Sequence, residues 1–461
     1  MVTRVRNGFS WPCALIALAA LIRLTTLAEQ SFWTDEAATL LDVHRSFGAL
    51  FPQLVHFEST PPLYFVIEWG WTHALGYSAF VARLPSAVAG IATVWFVYRA
   101  AAEVANERAG LIAGALAALS PLLVWYSQEA RAYSLLAMFA ALSFWLAARA
   151  VTSRKPSDQW LWALAAALAL TTHYFAIFVV VPEGIWLLRA ARWPVAAVGV
   201  VAAALLPLAL AQRNTGHTDW ITGTPLHTRL ALIPKQFVTG LSAPHQTTLA
   251  ALALLGVLAC CFSLVACWRQ APQGALIAAL ITVGAPVVMA LLALAGVDLV
   301  LTRNAIGLLP VGLVAVGTGV DMALVSGRGR FVVPAAGLIA VVGVCSFLAV
   351  DLDSKYQRPD WRDAARVVGT ETASHLVLLA PASSRLPLGV YVRLRRVGSL
   401  RTDEIDVVDF LLSAQGAARG LAAAQIPSGF RLVAMVRWPD LLVRRYVSAQ
   451  AVRLGAGLAA R

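Results

Sequence analysis

A chain of 461 residues that is 59% hydrophobic and only 13% charged is not a soluble globular protein, because such domains carry about 25% charged residues. The net charge of +12 does not point to nucleic acid. Arg and Lys sit mainly in short loops between apolar stretches and in the tail, where topology and anionic lipid head groups account for them.

Apolar runs of bilayer-spanning length, about 20 residues each, recur from 10 to 350, which implies a polytopic α-helical membrane protein. Residues 10–28 read as a retained helix and not as a signal peptide, since no small-residue cleavage site follows and many spans do. Cys13, Cys260, Cys261, Cys267 and Cys345 fall in or at the ends of spans. They form neither a CxxC metal pattern nor a disulfide framework.

In chain order, the first span is 10–28, preceded by Arg4 and Arg6. The positive-inside rule puts the N-terminus in the cytoplasm and Asp35-Glu36 on the outer face. An outer loop over 29–83 holds two short helices, 36–50 and 61–76. Both are aromatic and interrupted by charge, so they read as lying on the membrane. Asp35 is placed to N-cap the first of them.

The remaining spans are 84–99, 109–125, 132–151, 159–173, 175–188, 194–211, 248–267, 274–295, 304–324 and 331–350, with a second long outer loop over 212–247. Every short loop assigned to the cytoplasm is then basic. If 61–76 crossed, Arg154-Lys155, Arg189, Arg192, Arg328 and Arg330 would all face out, so the rule selects eleven spans.

From Asp351 the texture becomes polar, with Asp353, Lys355, Arg358 and Asp360 marking an exit into water. A short helix over 360–369 and strands at 376–379, 407–412, 431–436 and 441–447 predict a small α/β domain outside the membrane. The domains expected are 1–350, catalytic and membrane-embedded, and 351–461. The second has no nucleotide-binding glycine pattern and no clustered acid, base and nucleophile. It reads as support for acceptor binding.

This topology gathers the chemical residues on one side. Asp35, Glu36, Glu58, Glu129, Arg131, His173, Tyr174, His217, Asp219, Trp220 and Arg303 all face outward. So do all eight histidines: His44, His56, His73, His173, His217, His227, His245 and His375. A transporter would bury ionisable residues near the midplane in broken helices. Here few lie within spans, Arg23 being one. The pattern predicts a reaction at the outer membrane surface.

Carboxylates beside cations suit transfer from a lipid-linked phosphate. A general base deprotonates an acceptor hydroxyl, and cations stabilise charge developing on the leaving phosphate. Asp35, Glu36 and Glu58 are the candidate catalytic residues. Arg131, Arg303, His173 and Tyr174 are candidates for the donor phosphate, arginine because its planar fork donates in pairs. Tyr64, Glu129, His217, Asp219 and Trp220 are candidates for substrate binding. Each also has a plainer reading as a helix cap, a solvated loop residue, a satisfied interfacial histidine or a snorkelling arginine. A divalent metal is a candidate cofactor, with Glu58, His56 and other outer histidines as ligands, although no tight ligand spacing is present.

Asp35-Glu36, Thr60-Pro61-Pro62-Leu63-Tyr64, Arg83-Leu84-Pro85-Ser86, Ser120-Pro121 with Ser127-Gln128-Glu129-Ala130-Arg131-Ala132-Tyr133, and Thr172-His173-Tyr174-Phe175 occur in this order. The ordered set resembles the bacterial family 39-type, protein-mannosyltransferase-like membrane glycosyltransferases of the GT-C fold, with the lipid A aminoarabinose transferases as similar relatives. Asp360-Trp361-Arg362-Asp363-Ala364-Ala365 at the start of the tail also resembles that group.

The resemblance implies inverting transfer of a sugar from a polyprenyl-phosphate donor, with Asp35 as base and Glu36 orienting the acceptor. Glu58 stands where the aminoarabinose transferases have a Glu before Pro-Pro. Their following phosphate-contacting Lys is replaced here by Ser59-Thr60, so the cation comes from elsewhere. The expected location is the bacterial cytoplasmic membrane, with the site and tail extracytoplasmic. The acceptor is a glycan, lipid or protein hydroxyl. The competing readings are a transporter or flippase of a lipid-linked sugar, and a non-catalytic partner in envelope assembly.

Overall fold

The computed structural model describes residues 11–216, 218–266, 268–369, 374–394, 400–411 and 426–454. The chain forms two compact units. One comprises 1–27 and 42–352, the other 28–41 and 353–461. The division expected at 350 therefore falls at 352/353, and a separate stretch, 28–41, groups with the tail.

The membrane unit begins with α1 (Trp11–Leu24). Then come α2 (Thr34–Val43), which runs across the division between the units, α3 (Phe47–Phe57) and α4 (Leu63–Leu75). Where one helix was expected over 36–50 there are two. The first stops at Val43, and Ser46, in extended conformation, takes the N-cap position of α3. At 13 residues α4 is about 20 Å long, too short to cross a core of about 30 Å.

The long helices follow: α5 (Ala79–Val104), α6 (Glu107–Ala118), α7 (Pro121–Ser127), α8 (Tyr133–Ser153), α9 (Pro156–Thr172), α10 (Ile177–Leu187), α11 (Arg192–Arg213), α12 (Leu226–Thr239), α13 (Gln246–Ala266), α14 (Gln273–Leu294), α15 (Leu308–Val325) and α16 (Gly329–Leu352). Caps mark their ends. The Ser78 side chain accepts from Val81 N at the start of α5, Asn106 accepts from Arg108 N and Ala109 N at the start of α6, and proline opens α7 and α9.

Seven of these helices are long and apolar enough to cross a membrane, or eight if α6 and α7 count as one bent span. Shorter apolar helices cover Trp11–Leu24 and Tyr174–Leu187, and α9 has 17 residues. α5, α8 and α15 are largely buried, whereas α11, α13, α14 and α16 display Val200, Leu206, Leu255, Leu280 and Val341. Small residues let the inner helices approach closely. A Cβ on Gly319 of α15 would lie 2.3 Å from Cys260 O of α13, and one on Gly317 would lie 2.7 Å from Ala113 Cβ of α6.

α6 and α7 meet at 60°. Pro121 has no N–H to continue the ladder, so the carbonyls at the end of α6 need other donors. Arg23, wholly buried in α1, supplies them. Its Nη2 donates to Ala117 O (3.2 Å), its Nη1 to Ala118 O (3.1 Å), and its Nε to Ser127 Oγ at the far end of α7 (3.2 Å). Gln128 Nε2 adds a bond to Thr26 Oγ1 (2.8 Å).

The second unit has α17 (Trp361–Val368) and α18 (Arg385–Gly389), with strands β1 (His375–Ala380), β2 (Leu400–Phe410), β3 (Phe430–Arg437) and β4 (Leu441–Leu454). The sheet order is β1-β2-β4-β3. β1 is parallel to β2 and the other pairs are antiparallel. The helix and all four strands fall at the expected places, the strands extending beyond their apolar centres. Trp361, Ala364, Ala365 and Val368 form the buried stripe of α17 and pack with Val377, Leu379, Val408 and Val443 on one sheet face.

Gly90 of α5 faces the α6–α7 bridge. A Cβ there would lie 1.9 Å from Ser127 Oγ and 3.1 Å from Arg23 Nε. Gly90→Ala should overpack this contact at a cost of about 1–3 kcal/mol, seen as a lower thermal transition in detergent. Gly284→Ala meets no atom nearer than Leu280 Cδ1 at 4.0 Å and should stay within about 0.5 kcal/mol of wild type.

Candidate functional site

Pro61 and Pro62 keep α3 and α4 from forming one helix. Glu58, the C-cap of α3, is left on extended backbone (φ −113°, ψ 161°). The segment is held from α11, where Gln212 Nε2 donates to Leu54 O (2.8 Å) and Thr60 O (3.0 Å). Gln212 Oε1 in turn accepts from the Tyr174 hydroxyl (2.7 Å). Tyr174 is thus placed to set the Glu58 loop through Gln212.

Arg131 lies in the turn after α7. Its N–H donates to Glu129 O (2.8 Å), and its carbonyl accepts from Ser86 Oγ (3.3 Å). Ser134 Oγ returns to Ser86 O (2.7 Å), and Arg83 Nη1 reaches Leu27 O (3.0 Å). The Arg83-Leu84-Pro85-Ser86 stretch therefore braces this turn. The Arg131 guanidinium makes a two-pronged bond to Glu58, Nη1 to Oε1 at 2.7 Å and Nη2 to Oε2 at 3.0 Å, with both side chains buried. It also lies 5.8 Å from the Phe65 ring centre. Tyr64, fully buried, packs edge-on against Phe65 at 5.6 Å.

Arg303, in the turns before α15, lies between two aromatic faces, 5.9 Å from Tyr133 and 5.4 Å from Trp220. Tyr133 is 4.9 Å from Tyr126 and 5.9 Å from His173. His173 follows the last residue of α9 and is buried. Its Nδ1 accepts from Phe175 N (3.2 Å), which leaves the proton on Nε2. Burial first, then the charges of Arg131 and Arg303, push its pKa down to about 3. The imidazole is neutral at physiological pH, with its N–H on Nε2.

One carboxylate of this unit went unnoticed in the sequence. Asp42, near the end of α2, is buried, and its pKa is raised to about 6, by burial first and then by Glu58, with Arg45 and Arg131 opposing. The sequence signal was an acid seven residues, two helical turns, after Asp35. Gln212 had no comparable signal, because an amide at a helix end is unremarkable without its partners.

The other candidates are placed as follows. Glu129 is fully buried. Asp219 is exposed, and its backbone carbonyl accepts from Thr222 Oγ1 (2.8 Å). His217 lies outside the described residues. Asp35 and Glu36 belong to the second unit. Asp35 is half-buried, while Glu36 is buried and accepts from Trp33 N (3.4 Å) through Oε2.

Both Glu58 oxygens take hydrogens from Arg131, so the expected metal set around Glu58 and His56 does not fit. Among the described residues one group has metal-like proximity: His375, Glu404 and Asp406 in the tail. There Arg445 bonds Asp406 through Nε (2.8 Å) and Nη2 (2.7 Å), pairs with Glu404 (2.8 Å), and reaches Val367 O at the end of α17 (2.8 Å). That cluster is an ion-pair network fastening α17 to the sheet.

Residues 59–214 match the family model described as dolichyl-phosphate-mannose-protein mannosyltransferase. ArnT from Cupriavidus metallidurans in the apo state superposes with a TM-score of 0.57 at 14% identity, over 94% of this chain and 97% of that one. The same protein bound to undecaprenyl phosphate gives 0.56 at 13% identity, over 96% and 99%. No curated protein sequence matches the chain. The whole chain thus shares the ArnT fold, and the sequence match spans Arg131 and His173.

Two outcomes follow from the buried charges. Glu58→Ala removes the two-pronged carboxylate partner of buried Arg131 and should cost up to about 3–5 kcal/mol, while Glu58→Leu with Arg131→Met should recover most of it. Melting in detergent checks both. For Asp42 the folded pKa lies above the unfolded value, so folding favours the protonated form. Wild type should lose stability relative to Asp42→Asn as pH rises from about 4 through about 6. The gap should level off above about pH 7, on the order of 2 kcal/mol.

Proposed function

We propose that this membrane glycosyltransferase of GT-C type transfers a sugar, with inversion, from a polyprenyl-phosphate donor to an acceptor hydroxyl. The carrying observation is the pair of arginines, Arg131 and Arg303, both acting on one neutral histidine. The arginines offer cationic contacts to an anion, and the neutral imidazole offers an N–H. A cavity of about 930 Å³, lined by apolar side chains including Leu116, Leu230, Phe237, Leu258 and Val283, supports a lipid-borne donor. Its wall includes Pro121 at the start of α7, and Arg131 follows four residues after the end of that helix. ArnT, of the same fold, binds undecaprenyl phosphate, which supports the same donor class here.

In the reaction the acceptor oxygen attacks the anomeric carbon as the bond from that carbon to the phosphate oxygen breaks. The acceptor proton passes to a carboxylate, and the lipid phosphate leaves with the bonding pair. Arg131, oriented by Glu58, and Arg303 stabilise the phosphate. The His173 Nε2 proton adds a hydrogen bond. Asp35 is the base that the family resemblance implies, and Asp42 is the alternative within the membrane unit.

We place the reaction on the outer face of the bacterial cytoplasmic membrane. The seven long helices, the bent pair and three shorter helices make eleven spans with basic inner loops. α3 and α4 then lie along the outer surface. A reporter fused after residue 355 should be active only outside the cytoplasm, and activity inside would overturn this orientation.

Asp35→Asn keeps size and most hydrogen bonds but cannot take the proton. It should insert normally, bind donor and lose on the order of 10²-fold or more in kcat, measured with purified enzyme and polyprenyl-phosphate sugar. Arg131→Ala should weaken donor binding as well. If Asp35→Asn stays within about threefold of wild type, a difference below 1 kcal/mol, and Asp42→Asn falls instead, the base is Asp42.

A further inference from the structure

The Asp360-Trp361-Arg362-Asp363 stretch has no role in the reaction as written, yet most of it is engaged with residues 28–32. Trp361 is buried against Phe410, ring centres 5.7 Å apart, and anchors the stretch in the core of the C-terminal domain. Asp360 Oδ1 accepts from Ser31 Oγ (2.7 Å) while also capping α17 through Asp363 N (3.1 Å). Ser31 Oγ accepts from Arg362 N (3.1 Å). The Arg362 Nη2 donates to Ala28 O (3.2 Å), and its Cζ lies 5.9 Å from the Tyr391 ring. The Tyr391 hydroxyl accepts from Phe32 N (2.7 Å), and the two rings stack at 6.4 Å. Gln30 Oε1 accepts from Arg358 N (3.0 Å). Ala28, Gln30, Ser31 and Phe32 are each tied to the tail, three residues before Asp35.

We propose that the C-terminal domain is the positioning element of the reaction, with Asp360, Tyr391 and Ser31 as positioning residues that hold 28–41 and so fix Asp35. This rests on the reading of Asp35 as base. A segment between a membrane helix and α3 has many conformations, and one misplaced by about 1 Å can cost about 10²-fold in rate. Bonds to the backbone at Ala28 and Phe32 remove that freedom whatever the side chains do. The domain thereby acts on turnover without contributing an acid, base or nucleophile.

The test uses the full-length protein in detergent with the double variant Ser31→Ala, Tyr391→Phe, which keeps both the ring stack and the Asp360 cap of α17. Amide hydrogen exchange over 32–37 should speed up tenfold or more. The kcat should fall tenfold or more, KM for the polyprenyl-phosphate sugar should stay within twofold, and melting should be unchanged. Asp360→Asn, which keeps an acceptor oxygen, should turn over within threefold of wild type, whereas Asp360→Ala should lower kcat and, because it also removes the cap of α17, the melting temperature. Unchanged exchange in the double variant overturns the proposal, as does faster exchange with wild-type kcat. If the double variant does not fold, Tyr391→Phe alone decides by the same two readouts. An active Asp35→Asn would sink the base assignment and this proposal with it, whereas a slowed Asp35→Asn beside a double variant of wild-type kcat would overturn the positioning role alone.

Discussion

Inside a bilayer every backbone polar group needs a partner within the protein, and the break between α6 and α7 strains that requirement. The chain meets it with one buried guanidinium. Arg23 serves the last carbonyls of α6 and the Ser127 hydroxyl at the end of α7 together. The bend is therefore held at both ends by a third helix. The turn that follows α7 carries Arg131, so the direction in which that arginine leaves the membrane body depends on a residue of α1. Gly90 completes the arrangement by leaving room for Ser127 that no larger residue would allow.

The loops around Glu58 and Arg131 are built from charges that constrain each other. Glu58 pairs with and aims Arg131, and burial, with the two arginines adding to it, keeps His173 uncharged. Asp42, buried near the same pair, is kept partly protonated near neutral pH. The aromatic faces of Tyr133 and Trp220 flank Arg303.

The second unit shows how a domain without catalytic groups can still bear on chemistry. Its sheet and α17 form an independent core, locked by Arg445 between Asp406, Glu404 and the end of α17. One end of that core binds a stretch of chain that sequence order assigns to the membrane part. Hydrogen bonds of the Asp360–Ser31 kind join residues more than 300 positions apart, and no local pattern announces them.

The sequence by itself determined the apolar helices, the mixed tail and the arginines and acids between the helices. Long apolar runs, basic loops and alternating strands are local signals, and local signals survive without a structure. The single helix expected over 36–50 is two, the first ending at Val43 and the second starting at Phe47 after an extended Ser46. Only the tertiary structure decided which charges meet. It joined Glu58 to Arg131, brought Arg303 and His173 to one place, revealed Asp42, gave Tyr174 a bracing role through Gln212, and assigned 28–41 to the tail. Pairings between residues distant in the chain follow from how helices pack, and composition and spacing do not encode that packing.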